Sequence, residues 1–241
     1  MSEQWQEGRW AETIKKSNWH FDMMKPAAPG VDSYTHVCRF HHDFASVIEQ
    51  CKPLAKNSTW ETRNHYDPKI AQEGLYSWNA EQRDLINAGA DPNMQVFART
   101  AAEDIEVFRK IADWLGVEDP AIKFHNQTTG QMLVEHIDNF AGRKERENSF
   151  KETDFDKNPN LIRRFAIMLD DWKLGQVFQL GNANFHQWSA GDCITWEWQD
   201  MPHATCNMGW WDRPMLQITG YTTARTDEVL RNSNRNKEVT I

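Results

Sequence analysis

Histidine and aspartate recur in this chain at the His-x-Asp spacing, which can place two metal ligands side by side. The spacing occurs at His20-Phe-Asp22, His41-His42-Asp43 and His136-Ile-Asp138. Only the third copy ends a run with the apolar content of a strand, Gln131–Asp138. Residues i and i+2 of a strand point to the same face, so both side chains of this copy can contact one metal ion. The other two copies lie in a turn-broken region, where we expect structural roles.

A third ligand and a positively charged anchor are expected further along the chain. His203 follows a predicted turn and strand over Gly191–Trp196. Two imidazoles and one carboxylate on one face of a metal leave three positions open, which is the facial triad of non-haem Fe(II) oxygenases. Arg213 lies ten residues beyond His203. Its guanidinium can hold the carboxylate of a cosubstrate through two parallel hydrogen bonds.

The composition disfavours several other classes of function. The 241 residues carry 27 Lys and Arg against 35 Asp and Glu, a net charge of -8, which disfavours duplex nucleic acid as a partner. The four cysteines form no CxxC pair, which excludes a zinc knuckle. No stretch approaches the roughly 18 apolar residues of a membrane span, and we see no signal core. We therefore expect a cytoplasmic protein with reduced thiols and no membrane partner.

Short apolar runs separated by loops rich in Gly, Asn and Asp predict a β domain after Asp119-Pro120. Many such strands without intervening helices are typical of a barrel or jelly roll. The expected strands are Ala121–His125, Gln131–Asp138, Phe165–Leu169, Gln176–Leu180, Cys193–Trp198 and Met215–Tyr221. The run 98–115 is expected to form an amphipathic helix that ends before Gly116.

The predicted fold is mainly β with N-terminal helices, an α+β arrangement built on a cupin-like double-stranded β-helix. We divide the chain into an irregular and helical support region (1–120), a catalytic double-stranded β-helix (121–225) and a polar C-terminal tail (226–241). The charged segment 141–160 is expected to be a solvated loop rather than a mobile lid. The numerous tryptophans could line a substrate pocket, but such rings more often pack in the core.

Residues from about 121 to 222 resemble the Fe(II)/2-oxoglutarate-dependent dioxygenase superfamily, and within it the prolyl-4-hydroxylase-like branch. Gly130 lies six residues before His136, as is usual in that branch. The run Arg163–Leu169 resembles the strand that follows the first two ligands, and Gly175-Gln-Val-Phe178 is similar to a glycine-containing hairpin. The chain departs from the pattern where the family often has tyrosine or a hydroxyl residue. The departing positions are Gln127, Leu133, Asp170 and Met215.

The resemblance implies a role for each of the residues already singled out. His136, Asp138 and His203 would bind Fe(II), and Arg213 would bind the distal carboxylate of 2-oxoglutarate. Strand alternation makes Thr219 and Gln217 candidates for the second cosubstrate anchor; we add them to the cosubstrate-binding set.

The reaction that the resemblance implies uses Fe(II), 2-oxoglutarate and O2. It would hydroxylate an unactivated C–H bond of an amino acid, peptide or small metabolite, with release of succinate and CO2. Two alternatives stay open: a metal enzyme on a cupin-type barrel that does not use 2-oxoglutarate, and a non-catalytic binding protein. Arg213 at the family spacing argues against the first, and an intact triad argues against the second.

Overall fold

The computed structural model describes residues 33–55, 98–136, 138, 158–181, 183–198 and 201–241. This part of the chain forms eleven strands, three α-helices and one short 3-10 helix (Pro159–Leu161). The strands are β1 (Thr35–His41), β2 (Ala98–Ala101), β3 (Glu118–Gln127), β4 (Met132–His136), β5 (Ile162–Met168), β6 (Gln176–Leu180), β7 (Ala183–Phe185), β8 (Asp192–Thr195), β9 (His203–Asn207), β10 (Arg213–Tyr221) and β11 (Glu238–Thr240). The helices are α1 (Phe44–Ala55), α2 (Glu106–Leu115) and α3 (Ala224–Arg231). The His20-Phe-Asp22 copy and most of segment 141–160 lie outside the described residues.

Seven of these strands form one sheet in the order β11-β1-β8-β5-β10-β3-β2. β10 lies inside this sheet and pairs antiparallel with β5 on one side and β3 on the other. All nine of its residues are buried. Met215 of β10 is therefore opposite His125 in β3 and Met168 in β5.

The other four strands form a second sheet in the order β4-β9-β6-β7, which packs against one face of the first. The interface is a buried cluster to which both sheets contribute. Its members are Ala166, Met168, Phe178, Leu180, Phe185, Trp188, Ile194, Trp196, Met201 and Met215. Two mainly antiparallel sheets packed in this way form the jelly roll that the sequence predicts.

Helices cover the opposite face of the seven-stranded sheet, where the larger core cluster lies. Phe108, Ile111 and Leu115 of α2 are fully buried, which confirms the apolar periodicity of that run. The helix ends at Gly116, whose φ of +71° gives the left-handed cap that glycine favours. Among the helices in the described ranges, none is both long and apolar enough to cross a membrane.

The helix predicted over 98–115 is wrong in its first part. Residues 98–101 form β2, and this strand pairs antiparallel with β3. Alanine-rich segments favour a helix, but the free backbone edge of β3 offers a full set of hydrogen-bond partners, and tertiary context overrides propensity. The helix α2 begins only at Glu106.

Both ends of the described chain add elements that the sequence analysis did not include. β1 pairs with β8 inside the seven-stranded sheet, within the region expected to be a helical support. The helix α3 lies mostly in the segment expected to be a polar tail (226–241), and it begins with a capping box formed by Thr223 and Thr226. Both hydroxyls also donate to the carbonyl oxygen of Gly116, at 2.6 and 2.7 Å. β11 then pairs parallel with β1.

Gly191 forms a turn on which three strands depend, so its replacement should destabilise the fold. Its backbone N–H donates to the carbonyl oxygen of Met168, and its carbonyl accepts from Phe40 N–H. A Cβ at Gly191 (φ +89°) would overlap the carbonyl oxygen of Phe40. We expect Gly191→Ala to lower the free energy of unfolding by about 3 kcal/mol or more, measured by urea titration.

Gly130 is the matched control because it shares the positive φ (+82°) but has open space where a Cβ would lie. Gly130→Ala should cost only the backbone strain, about 1–2 kcal/mol. Equal losses in the two variants would show that the contact with Phe40 has no role.

Candidate active site

A β-bulge in β4 sets which residue lies opposite His203. Leu133 pairs with Thr205, but the next paired position in β4 is His136, which is opposite His203. Antiparallel partners keep a constant sum of residue numbers, so an unbroken register would place Glu135 there instead. The extra residue therefore brings the backbones of two predicted ligands together, as bulges near active sites often do. The side chain of His136 lies outside the described part of the structure.

The side chains of Asp138 and His203 meet in the interior between the sheets. Their exposed fractions are 7% and 5%, and His203 Nε2 lies 3.8 Å from Asp138 Oδ2. On the other side of the ring, His203 Nδ1 is 3.2 Å from the carbonyl oxygen of Met201. A ring N–H donated from Nδ1 to a carbonyl corresponds to the tautomer in which Nε2 is unprotonated, which is the form of an imidazole that binds a metal.

These two donors suit a divalent cation of the iron type, because imidazole and carboxylate are both common ligands of such ions. Two metal–ligand bonds of about 2.1 Å can span the 3.8 Å between them. The described residues contain no group of three or more His, Cys, Asp or Glu side chains that could hold a metal. A third ligand would have to come from a side chain outside the described part of the structure, as the predicted ligand His136 would.

Aromatic rings enclose His203. The ring of Trp196 is centred 5.0 Å from the imidazole, and that of Phe178 is centred 6.4 Å away. Trp196 is only 4% exposed, and its indole N–H has no acceptor among the described residues. A buried donor without a partner costs about 1–3 kcal/mol. A ligand oxygen beside His203 would remove that cost.

Arg213 is buried at the start of β10 without a carboxylate partner among the described residues. Its guanidinium carbon lies 5.6 Å from the centre of the Phe178 ring and 5.9 Å from that of Trp188. Burial lowers the pKa of Arg213 to about 10, which still leaves the group charged at neutral pH. Because Phe178 contacts both Arg213 and His203, the cation and the candidate metal ligand share one side of the interior.

Gln127 holds Arg213 in a fixed orientation. Its side-chain oxygen accepts from Arg213 Nε at 2.9 Å, and its amide nitrogen donates to the Thr205 hydroxyl at 3.1 Å. Asn207 donates to the backbone carbonyl of Gln127 at 2.8 Å. The family that the sequence resembles often has tyrosine at the position of Gln127. The glutamine found here has a structural role of its own, because it links Arg213 to Thr205.

The two candidates for a second cosubstrate anchor, Gln217 and Thr219, are buried on β10 but contact another residue. Thr219 Oγ1 accepts from Arg164 Nε at 3.1 Å. Arg164 also forms an ion pair with Asp138. The sequence analysis did not single out Arg164. Its signal was its place in the run Arg163–Leu169, one residue before the predicted strand Phe165–Leu169. In β5 it alternates with Ala166 and Met168 and so shares their inward face.

No protein-family model matches the chain, and no curated protein matches it. Solved structures with a similar fold include a Pseudomonas putida prolyl-4-hydroxylase, with a TM-score of 0.41 and 13% identity over 80% of this chain and 94% of that one. The non-heme monooxygenase ThoJ, in a complex with Ni, has a TM-score of 0.41 and 14% identity over 79% of this chain and 74% of that one. A cupin 2 conserved barrel domain protein from Salinispora arenicola has a TM-score of 0.27 and 12% identity over 46% of this chain and 71% of that one. At these identities the likeness concerns the cupin-like fold alone.

Proposed function

We propose that this protein is an Fe(II)- and 2-oxoglutarate-dependent dioxygenase that hydroxylates a C–H bond of an amino acid, peptide or small metabolite. The observation that carries the proposal is the buried charge of Arg213, for which the described residues provide no carboxylate. A buried cation is costly unless it is paired. An anionic cosubstrate bound between the sheets would supply the missing partner.

In this proposal, different residues act at the two ends of the cosubstrate. His136, Asp138 and His203 would hold the iron, and Arg213 would bind the distal carboxylate of 2-oxoglutarate. Bound Fe(II) supplies the oxidising chemistry, which couples the conversion of 2-oxoglutarate and O2 into succinate and CO2 to oxidation of the substrate. Phe178 and Trp196, whose rings lie beside His203, would exclude water from that side of the site.

A non-catalytic binding protein is the second candidate function. The ion pair between Arg164 and Asp138 favours it, because the carboxylate already has a cationic partner within the protein. A metal enzyme without 2-oxoglutarate is the third outcome that an experiment has to separate. Metal analysis distinguishes the binding protein from both enzymes, and succinate release in the presence of 2-oxoglutarate distinguishes the two enzymes.

Replacing any one member of the triad should abolish iron binding and turnover together. We expect His136→Ala, Asp138→Ala and His203→Ala each to lower Fe(II) occupancy, measured by anaerobic titration, and to abolish succinate formation. Asp43→Asn is the control because it lies in another His-x-Asp copy, where Asp43 accepts from Ser46 N–H at the start of α1. Full iron occupancy in His203→Ala would show that the triad is misassigned.

Replacing Arg213 should weaken binding of 2-oxoglutarate but not of iron. A charged bidentate hydrogen bond in a buried site is worth roughly 1.5–3 kcal/mol, so Arg213→Ala should weaken cosubstrate binding by about ten- to a hundredfold or more. Arg213→Lys should lose less, since a point charge still reaches the carboxylate. Calorimetric titration of the metal-loaded protein measures both, and iron affinity without 2-oxoglutarate should not change.

Gln127→Glu tests the same anchor without removing the arginine. A carboxylate in contact with Arg213 Nε would neutralise the cation internally, so 2-oxoglutarate should bind roughly tenfold more weakly or worse. Gln127→Met, which keeps the size and leaves the cation uncompensated, should have a smaller effect. If Gln127→Glu binds 2-oxoglutarate as tightly as the unmodified protein, Arg213 is not the anchor.

A further inference from the structure

The side chain of Arg164 crosses the inner face of the seven-stranded sheet and reaches Asp138. The guanidinium forms an ion pair with Asp138 Oδ1, and the exposed fractions of the two side chains are 18% and 7%. Thr219 lies directly opposite Arg164 in the β5–β10 register. Its hydroxyl accepts from Arg164 Nε at 3.1 Å.

Gln217 holds the same guanidinium from the next inward position of β10. With its amide nitrogen donating to His125 Nε2 at 2.6 Å, its oxygen accepts from Arg164 Nη1 at 2.9 Å and Nη2 at 3.1 Å. The opposite orientation would turn the amide N–H groups toward a group that has only donors. The donor-only guanidinium of Arg164 therefore sets the orientation of the Gln217 amide, and Gln217 and Thr219 together fix the guanidinium plane.

The contact with Arg164 leaves the two oxygens of Asp138 in different surroundings. Oδ1 forms the ion pair with the guanidinium of Arg164, whereas Oδ2 lies 3.8 Å from His203 Nε2. A carboxylate without such a contact could turn away from the metal or bind it through both oxygens. We propose that Arg164 is a positioning residue that orients Asp138 so that a single oxygen, Oδ2, binds the metal. This inference rests on the proposed function, because it presumes that Asp138 is a metal ligand.

Arg164 has two opposite effects on metal affinity: its positive charge repels the metal, and its contact with Asp138 orients a metal ligand. The larger effect decides whether replacing Arg164 weakens or strengthens metal binding. Coulomb repulsion between Arg164 and a divalent cation weakens metal binding. Against it stands the loss of orientation, since removal of a residue that holds a metal ligand typically costs 10–100-fold in metal affinity. We expect orientation to dominate because Arg164 is itself fixed by two acceptors on β10.

The test uses the full chain and Co(II), an air-stable probe whose visible absorption reports coordination geometry. Arg164→Met should bind Co(II) about 10–100-fold more weakly than the unmodified protein and with an altered spectrum. Arg164→Lys, which keeps the charge but not the planar fork, should give an intermediate loss, and Thr219→Val a loss of a few-fold. Thermal unfolding of each apoprotein separates these effects from failure to fold, and Arg164→Lys serves where Arg164→Met does not fold.

Arg163→Lys is the matched control. Arg163 is the neighbouring arginine on β5, but its guanidinium contacts Asn160, Glu197 and the carbonyl oxygen of Trp196. Its replacement should leave Co(II) affinity and spectrum unchanged.

The outcomes separate this inference from the proposed function. If Asp138→Asn binds Co(II) as tightly as the unmodified protein, the metal site itself is misassigned. If Asp138 is required but Arg164→Met binds Co(II) equally or more tightly, the positioning role is overturned and the proposed function stands. Tighter binding would identify Arg164 as a competitor of the metal for Asp138.

Discussion

The alternation of side chains along β10 is the constraint on which the rest of the interior depends. Because β10 pairs on both sides and both faces of its sheet are covered, every one of its residues is buried, whatever its polarity. Leu216 and Ile218 point into the helix-packed core. The alternate residues of the strand must therefore face the second sheet. Three of the positions that face the second sheet are polar: Arg213, Gln217 and Thr219. Buried polar groups need hydrogen-bond partners, and each of these side chains has one in the interior.

Two arginines in this interior have opposite surroundings, and the contrast is informative. Arg164 has a carboxylate and two neutral acceptors, so its charge is compensated within the protein. Arg213 is held by one amide oxygen and enclosed by aromatic rings. If both charges served only the fold, both would be expected to have acidic partners. In the proposed function, Arg164 would organise the site, whereas Arg213 would bind an anion.

The sequence predicts the local features well and the non-local ones poorly. The strand Gln176–Leu180 has its predicted bounds: it is a short apolar run, and its buried residues alternate with less buried ones. β9 was not predicted, since His-Ala-Thr-Cys-Asn has little apolar content and is a strand only because β4 and β6 flank it. The spacing of His136, Asp138, His203 and Arg213 can be read directly from the sequence. The contacts of Arg164 and Gln127 are not, because they depend on strand register and on a bulge that no local pattern encodes.

The parallel pairing of β11 with β1 has a consequence for the behaviour of the protein at high concentration. β1 is seven residues long and includes the buried Val37 and Phe40, so its free edge would offer another chain a long template for strand addition. β11 pairs with Arg39–His41 at one end of that edge, and it has only three residues, the first of them Glu238. A short, charged outer strand is a poor template, and it therefore protects the sheet from growing edge to edge into aggregates.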